Sequence, residues 1–297
     1  MDSKQSGRQA AIWMITAAFC FASMGAFAHT AGSRCDWFLI ALFRIICTFV
    51  FSVLLAWASR SPLVLFSPRT LWLRSVTGTI SLICTFYAVT RLPVADVLTL
   101  TNTYPLWIVL LSLPHLRRAE FAIDLLCVIS GVVGVALIQR PYLSGKGDVA
   151  VLAALIASFT TAVAMLGLHR LRTVAAPAVV AHFAGLASVT FSVWITVHPR
   201  STPLSTFDTK TGLLLLGVGL SGTMGQVFLT KAFAAGPPSR ISVLSLTQVV
   251  FAMAYDAAIE GRVLTLSTIA GFVLVLTPTA WITLRAGGAT AEPAAPA

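Results

Sequence analysis

Polar side chains that could bind a small molecule recur inside two apolar stretches of the sequence. In the later stretch, spacings of three and seven residues place Ser245, Gln248 and Tyr255 on one face of a helix. In the earlier stretch, Thr101 aligns with Ser245 and Tyr104 aligns with Gln248. Polar groups at matching depth suit the lining of a central cavity, and hydrogen bonds between helices are the alternative interpretation.

Further candidates for ligand contacts lie in the same stretches and their neighbours: Trp13, Tyr87, Asn102, Trp107, Gln226 and Lys231. Lys231 is the only lysine inside the predicted membrane stretches. It can pair with a carboxylate or phosphate, or its ammonium group can extend to the membrane surface. Trp13 can stack on a ligand or lie in an interfacial aromatic belt.

A proline interrupts the backbone hydrogen bonding near the middle of one stretch. Pro105 has no backbone N–H, so a carbonyl one turn earlier loses its usual partner. The helix can therefore bend toward a site at this depth, or neighbouring helices can accommodate the proline by packing.

The charged residues inside the apolar stretches are few. Arg44 lies roughly 10 Å inside the second predicted helix and needs partners such as Asp36, Asp96, backbone carbonyls or a substrate. We interpret Arg44 as a structural charge that holds this helix in place. No acid lies at a predicted midplane, which favours uniport, exchange or potential-driven movement over proton coupling. Asp124 and Asp256 are the candidates if coupling exists.

The histidines and cysteines form no pattern typical of a metal site or a catalytic site. No two histidines have metal-ligand spacing on one predicted helix, and His182 is isolated in its stretch. The five cysteines form no zinc spacing, and their odd number argues against a disulfide framework. Intramembrane catalysis needs a nucleophile–base pair or a metal cluster. The sequence therefore predicts no metal, no cofactor and no enzymatic activity.

The elements that position these residues are membrane helices. The 297 residues are 57% hydrophobic and 10% charged, with a mean hydropathy of +0.89, which excludes an ordinary soluble domain. A helix that crosses a bilayer needs ~20 apolar residues. Ten stretches meet this length: 11–30, 37–57, 71–91, 94–113, 120–139, 148–167, 178–197, 211–234, 240–259 and 265–285. The fold prediction is an all-α membrane protein with ten transmembrane helices.

The ten predicted helices form two copies of a five-helix unit. Matching residues lie 140 or 144 positions apart: Ala17/Ala157, Phe19/Phe159, His29/His169, Gly78/Gly222, Pro93/Pro237, Thr103/Thr247, Glu120/Glu260 and Gly131/Gly271. An odd number of helices in each copy gives the copies opposite orientations. The predicted repeats are 11–140 and an inverted 148–285, followed by a disordered cytoplasmic tail at 286–297.

The net charge of +10 follows the membrane topology and does not indicate nucleic-acid binding. With the N-terminus in the cytoplasm, the cytoplasmic side carries twelve basic residues: Lys4, Arg8, Arg60, Arg69, Arg74, Arg117, Arg118, Arg170, Arg172, Lys231, Arg240 and Arg285. The other side carries seven: Arg34, Arg91, Arg140, Lys146, Arg200, Lys210 and Arg262. This bias predicts a multi-pass protein of the cytoplasmic (inner) membrane with both termini in the cytoplasm.

These features together resemble the drug/metabolite transporter superfamily, in particular its EamA-type members with ten helices in two repeats. The resemblance rests on segment 37–56 with its internal arginine, and on the helix–turn–helix segments 87–111 and 231–253. It also rests on Glu120 and Glu260, each eleven residues before a glycine. It covers about 11–285.

The resemblance implies transport and leaves the substrate open. We expect a secondary transporter that moves a small polar or zwitterionic metabolite by alternating access. The substrate would be an amino acid or a derivative such as S-adenosylmethionine. An exporter of drugs or amphipathic cations is the alternative, although such substrates usually require a buried carboxylate. An intramembrane enzyme is a remote alternative. The expected partners are a small-molecule substrate and the lipid bilayer, with no nucleic acid. The last helix of each repeat could support a homodimer.

Overall fold

A computed structural model describes residues 3–35, 37–89, 91–92, 94–112, 118–140, 148–197, 208–261 and 263–286. Within these ranges the chain is helical and contains no strand. The twelve helices are α1 (Ser3–Gly32), α2 (Trp37–Ala58), α3 (Arg69–Val89), α4 (Val94–Thr101), α5 (Tyr104–Ser112), α6 (Arg118–Gln139), α7 (Asp148–Arg170), α8 (Ala176–Val197), α9 (Thr209–Ala235), α10 (Pro238–Ser245), α11 (Thr247–Glu260) and α12 (Leu266–Ala286). The predicted tail lies outside the described residues, apart from Ala286.

Nine helical segments in the described part are long and apolar enough to cross a membrane, which makes this an all-α, multi-pass membrane protein. Two of the nine are composite: α4 with α5 covers Val94–Ser112, and α10 with α11 covers Pro238–Ile259. The third predicted stretch does form a helix, α3, but that helix is not among the nine. Its arginines, Arg69 and Arg74, and its many hydroxyl side chains lower its hydropathy.

Both composite segments are interrupted near their middle. In the first, the helix stops at Asn102 and Thr103, and the Leu106 N–H donates to the Thr103 carbonyl, three residues back, at 2.9 Å. In the second, the Val249 N–H donates to the Leu246 carbonyl at 3.0 Å in the same way. The two interruptions occupy aligned positions. Pro105 explains only the first, because no proline follows the second.

The helices of the two halves are interleaved. α1 packs along α9, and α3 packs along α7 in the corresponding way; α2 packs on α8, and α6 packs on α12. The largest apolar cluster contains residues of both halves, among them Met14 of α1, Leu168 of α7, Phe233 of α9 and Leu244 of α10. Many large apolar side chains, such as Leu126 and Leu213, point outward, as a lipid environment allows.

Candidate functional site

The two interrupted segments meet through one side-chain contact. The Tyr104 hydroxyl, at the start of α5, forms a hydrogen bond with the Ser245 hydroxyl, at the end of α10. Ser245 is buried and also donates to the Ser242 carbonyl at 2.6 Å. Because the serine proton is used there, Tyr104 is the donor in the contact between the halves. The predicted cavity positions Tyr104 and Ser245 are therefore brought together.

Hydroxyl groups satisfy carbonyls around the second interruption. Ser242 donates to the Ser239 carbonyl and Thr247 donates to the Leu244 carbonyl, both at 2.7 Å. Side chains that bond three residues back compete with the backbone ladder and favour a local bend. They account for an interruption at Leu246 that occurs without proline.

Three other polar residues of the first segment bond within the segment or to α7. Thr101 donates to the Val97 carbonyl at 2.8 Å, and the Asn102 amide donates to the Leu98 carbonyl at 2.7 Å. The hydroxyl of Thr103, which sequence reasoning did not select, lies 2.8 Å from that of Ser158 in α7. Thr101 and Asn102 thus stabilise the helix end beside the interruption.

The interruption at Leu246 falls within the predicted face of Ser245, Gln248 and Tyr255. Tyr255 lies in α11, and its hydroxyl is 2.8 Å from that of Ser23 in α1. The Gln248 side chain is half-buried and makes no hydrogen bond within the described residues. Ser245 lies before the interruption, and Gln248 and Tyr255 lie after it, so one shared face for the three residues stays a prediction.

Aromatic rings lie close to these polar groups. Trp107 of α5 meets Phe159 of α7 edge to face, with ring centroids 5.5 Å apart. Phe19 of α1 contacts Phe251 edge to face at 5.6 Å and lies 6.3 Å from the ring of Tyr255. Such rings give apolar walls to a pocket and allow stacking on a bound solute.

Lys231 lies between two aromatic rings. Its ammonium nitrogen is 5.8 Å from the centroid of Trp13 and 5.9 Å from that of Phe228. These distances are at the outer limit of cation–π attraction. No carboxylate of the described residues pairs with Lys231. Its aligned residue in the first half, Tyr87, is instead exposed and stacks under the Arg91 guanidinium at 3.8 Å.

An arginine that sequence reasoning placed among the cytoplasmic charges is buried inside the bundle. Arg74 of α3, which the sequence analysis counted with the cytoplasmic side, is only 2% exposed and so packs within the protein. Its Nη2 atom lies 3.4 Å from Oε1 of Gln226, and its Cζ atom lies 4.4 Å from the ring centroid of Phe183. Gly78, one turn later on α3, leaves room for the guanidinium. In the sequence, Gly78, four residues after Arg74, was the available indication that this arginine could be buried.

The other internal arginine, Arg44 of α2, packs against α9. A Cβ atom built on Gly222 would lie 3.5 Å from its Nε atom. Arg44 forms no hydrogen bond within the described residues. Of its two predicted acidic partners, Asp36 lies outside the described residues, and Asp96 is buried at the start of α4 with contacts of its own.

A buried carboxylate joins the first half to the start of α10. Asp124 of α6 is 4% exposed, and its Oδ2 atom accepts a hydrogen bond from the Ser239 hydroxyl at 2.5 Å. The Nε atom of Arg240 lies 3.6 Å from Oδ1. A pocket of about 170 Å³ opens beside this cluster, between α6, α10 and α12. Asp124 is therefore used in an internal contact.

Comparison with known proteins assigns the chain to a family. The model of the EamA-like transporter family matches twice, over residues 8–140 and 147–284. The chain belongs to this family. The EamA-like assignment confirms the predicted resemblance to the drug/metabolite transporters and identifies a transporter of small molecules that resides in a membrane.

Two named relatives of this EamA-like chain are transporters. An uncharacterized transporter of Helicobacter pylori (strain ATCC 700392 / 26695) is 26% identical over 68% of this chain and 69% of its own. The pseudopaline exporter CntI of Pseudomonas aeruginosa (strain UCBPP-PA14) is 27% identical over 69% of this chain and 72% of its own. A solved crystal structure has the same fold, with a TM-score of 0.79 and 19% identity over 93% of this chain and 97% of the other.

Proposed function

We propose that this EamA-like protein is a secondary transporter that moves a small polar or zwitterionic metabolite by alternating access between its two halves. The observation that carries the proposal is the contact between Tyr104 and Ser245, where two interrupted segments of opposite halves meet. Interrupted helices expose backbone polar groups at a binding site, and carriers use them in pairs.

We propose ten spans in two inverted repeats, 11–140 and 148–285, with α3 as the tenth span. The exchange of partners supports this: α1 packs on α9 as α7 packs on α3, whereas α2–α8 and α6–α12 pair with their own counterparts. Such a pattern is expected when a two-fold axis relates the halves. The double family match and the aligned interruptions also support it.

The substrate contacts in this proposal come from residues whose polar groups make no hydrogen bond within the described residues. Gln248 offers an amide, Lys231 offers an ammonium group, and Trp13 offers a ring beside it. A lysine in an aromatic setting favours a solute with a carboxylate, such as an amino acid derivative. Similarity to a pseudopaline exporter supports export as the direction. Neither the family nor these relatives favour S-adenosylmethionine in particular.

We place the protein in the cytoplasmic membrane with both termini in the cytoplasm, as the distribution of basic residues favours. A homodimer through α6 and α12 would have to use their outer surfaces. Their glycines face the chain's own helices: a Cβ on Gly131 would lie 2.5 Å from Leu246, and one on Gly134 would lie 2.8 Å from the Gly271 carbonyl.

Export of drugs or amphipathic cations remains the second candidate, and the aromatic walls around Trp107 and Phe251 favour it. The internal cations Arg44, Arg74 and Lys231 oppose it, because like charges repel in a medium of low dielectric constant. Thermal unfolding in the presence of a cationic drug, as one of several ligands, separates the two candidates.

The test begins with thermal unfolding of the detergent-purified chain in the presence of amino acids, sugars, nucleosides, S-adenosylmethionine and cationic drugs. A ligand that binds only the folded state raises the midpoint. Each stabilising compound is then used for counterflow in proteoliposomes, with Gln248→Ala and the exposed-site variant Thr30→Ala compared with the wild type. Trans-stimulation that Gln248→Ala abolishes supports the carrier and this site. Uptake without trans-stimulation would contradict a carrier.

A further inference from the structure

Two arginines inside the bundle form a second feature of the interior. Building on the proposed function, we propose that Arg44 and Arg74 together bind an oxyanion, a carboxylate or phosphate group of the transported solute. The site lies between α2, α3, α8 and α9. The contact between Tyr104 and Ser245 does not depend on it.

Arg74 carries the first part of the argument because its charge is buried and incompletely satisfied. The side chain is 2% exposed, and its Nε atom has no hydrogen-bond partner within the described residues. The Gln226 amide oxygen, at 3.4 Å, and the Phe183 ring are its only polar or ring contacts there. A neutral amide and an aromatic face do not balance a buried guanidinium.

Arg44 reaches the same face of α9 as Arg74. Arg44 contacts α9 at Gly222, and Arg74 contacts it at Gln226, four residues later. Positions four residues apart on a helix are neighbours about 6 Å apart on one surface. Two guanidinium groups directed at adjacent turns of one helix can therefore share a ligand with two or three oxygens.

No acid of the described residues neutralises this pair. Neither arginine forms an ion pair with a carboxylate in that part of the chain. Asp124, the most buried acid with a described ion pair, is bonded to Ser239 and Arg240. The charge that compensates the arginines must therefore come from another source, and a solute anion meets this requirement.

The repeat provides independent support for a built site. Gly78 and Gly222 are aligned residues of the two halves, and each lies against an arginine of the first half: Gly78 against Arg74 and Gly222 against Arg44. A side chain at Gly78 would collide with the Arg74 guanidinium and with Phe183, whose ring carbon would lie 2.9 Å from the added Cβ. A glycine of each half thus makes room for a guanidinium, and the planar fork of a guanidinium matches an oxyanion.

The experiment measures thermal unfolding of the detergent-purified full chain with succinate, glutamate or inorganic phosphate, each against sodium chloride at equal ionic strength. We expect at least one of these oxyanions to raise the midpoint of the wild type. Arg74→Gln and Arg44→Gln should abolish this increase, with affinity falling about tenfold or more. Arg172→Gln, which removes an exposed arginine, should retain the wild-type response.

The variants also separate anion binding from a structural role. Without an oxyanion, Arg74→Gln should unfold at the wild-type midpoint or above, because it removes an uncompensated charge. A lower midpoint in every buffer would show that Arg74 serves to stabilise the packing of the helices, and it would overturn the proposal. If Arg74→Gln does not fold, Arg74→Lys provides the test. Lysine keeps the positive charge but lacks the planar guanidinium group, so the oxyanion should raise the thermal midpoint less than in the wild type.

Two further outcomes decide the source of the anion and the relation to transport. Stabilisation by phosphatidylglycerol with no response to the soluble anions would identify a lipid phosphate and overturn the solute site. Trans-stimulation by a neutral solute with no response to any oxyanion would overturn this inference and leave the carrier intact. An oxyanion response without counterflow of any panel compound would overturn the carrier and leave the anion site.

Discussion

Tyr104 donates a hydrogen bond to Ser245, and Ser245 in turn donates to the Ser242 carbonyl. The contact joins the start of α5 to the end of α10 in the two halves of the chain. Both residues lie next to an interruption, where helices lack their full backbone bonding. A change in how the halves meet must therefore alter this hydrogen bond.

Removal of the Tyr104 hydroxyl should impair transport more than stability. Tyr104→Phe removes one neutral hydrogen bond, which costs about 1 kcal/mol of unfolding free energy, and Ser245→Ala should cost a similar amount. We expect counterflow of the stabilising solute to fall at least tenfold in both variants. Thr30→Ala, which removes an exposed hydroxyl that bonds within its own helix, should match the wild type. Unchanged counterflow in both site variants would place transport elsewhere.

Alanine at the crossing of α6 and α12 should destabilise the protein. A Cβ on Gly134 would lie 2.8 Å from the Gly271 carbonyl oxygen, and one on Gly271 would lie 2.7 Å from that of Gly134. Because these neighbours are backbone atoms, the helices must separate, at a cost of about 1–3 kcal/mol for each variant. Gly212→Ala is the control, since nothing lies within 4 Å of that position.

The thermal midpoints of these three glycine variants check the prediction. Gly212→Ala should leave the midpoint unchanged or raise it slightly, because alanine restricts the unfolded chain. Equal midpoints for the Gly134 and Gly212 variants would contradict the close helix crossing.

The contact between Asp124 and Ser239 should stabilise the start of α10. Asp124→Ala leaves the Ser239 hydroxyl and Arg240 without their partner, and we expect a loss of about 1–3 kcal/mol. Glu120→Ala, one turn earlier on α6 and exposed, is the matched control. The double variant Asp124→Ala/Ser239→Ala should lose less than the sum of the single losses, because the residues are coupled. Additive losses would exclude direct coupling.

The start of α9 should respond to acid. Thr211 lowers the pKa of Asp208 below its ordinary value of 3.8, through its hydroxyl and its backbone N–H, and nearby Arg34 adds to the effect. Of these two groups, the backbone N–H carries the effect, because it donates to Oδ1 at 2.8 Å and the hydroxyl makes no hydrogen bond within the described residues. A lowered pKa means that the folded state favours the carboxylate. This stabilisation is complete above the ordinary value and is lost as the pH falls through the lower, folded value.

Asp208→Asn isolates the charge at this position, because asparagine can still cap the helix. The difference in thermal midpoint between wild type and Asp208→Asn should shrink as the pH falls below about 4. High salt should reduce the same difference at neutral pH, because the ion pair with Arg34 at 2.9 Å is exposed. A difference that is constant from neutral pH to acid would contradict the role of the carboxylate.

The sequence predicted the helices well because long apolar runs require helices in a bilayer. It also selected Tyr104 and Ser245 as cavity candidates, because the alignment of the halves pairs Tyr104 with Gln248 and Thr101 with Ser245 near the middle of their helices. It did not predict the interruption at Leu246, between Ser245 and Tyr255. That interruption occurs beside the hydroxyls of Ser242 and Thr247, which bond three residues back, and residue spacing alone does not reveal such bonds.

The buried position of Arg74 was also not predictable from hydropathy. An arginine near the start of an apolar stretch usually extends to the membrane surface. Here the ring of Phe183 and the space above Gly78 hold it inside. Those contacts come from tertiary packing between α3 and α8, and the glycine one turn away was the only local indication.

The eight residues of α10 span about 12 Å, and a serine at each end holds them to the other half of the chain. Ser239 is held by Asp124, and Ser245 is held by Tyr104. α10 is therefore a short helix held at both ends by hydrogen bonds that can break. A water molecule or a solute oxygen can replace either hydrogen bond without leaving a polar group unpaired. The barrier to reorienting α10 would then depend on hydration, and transport turnover would slow in solvents that lower the activity of water.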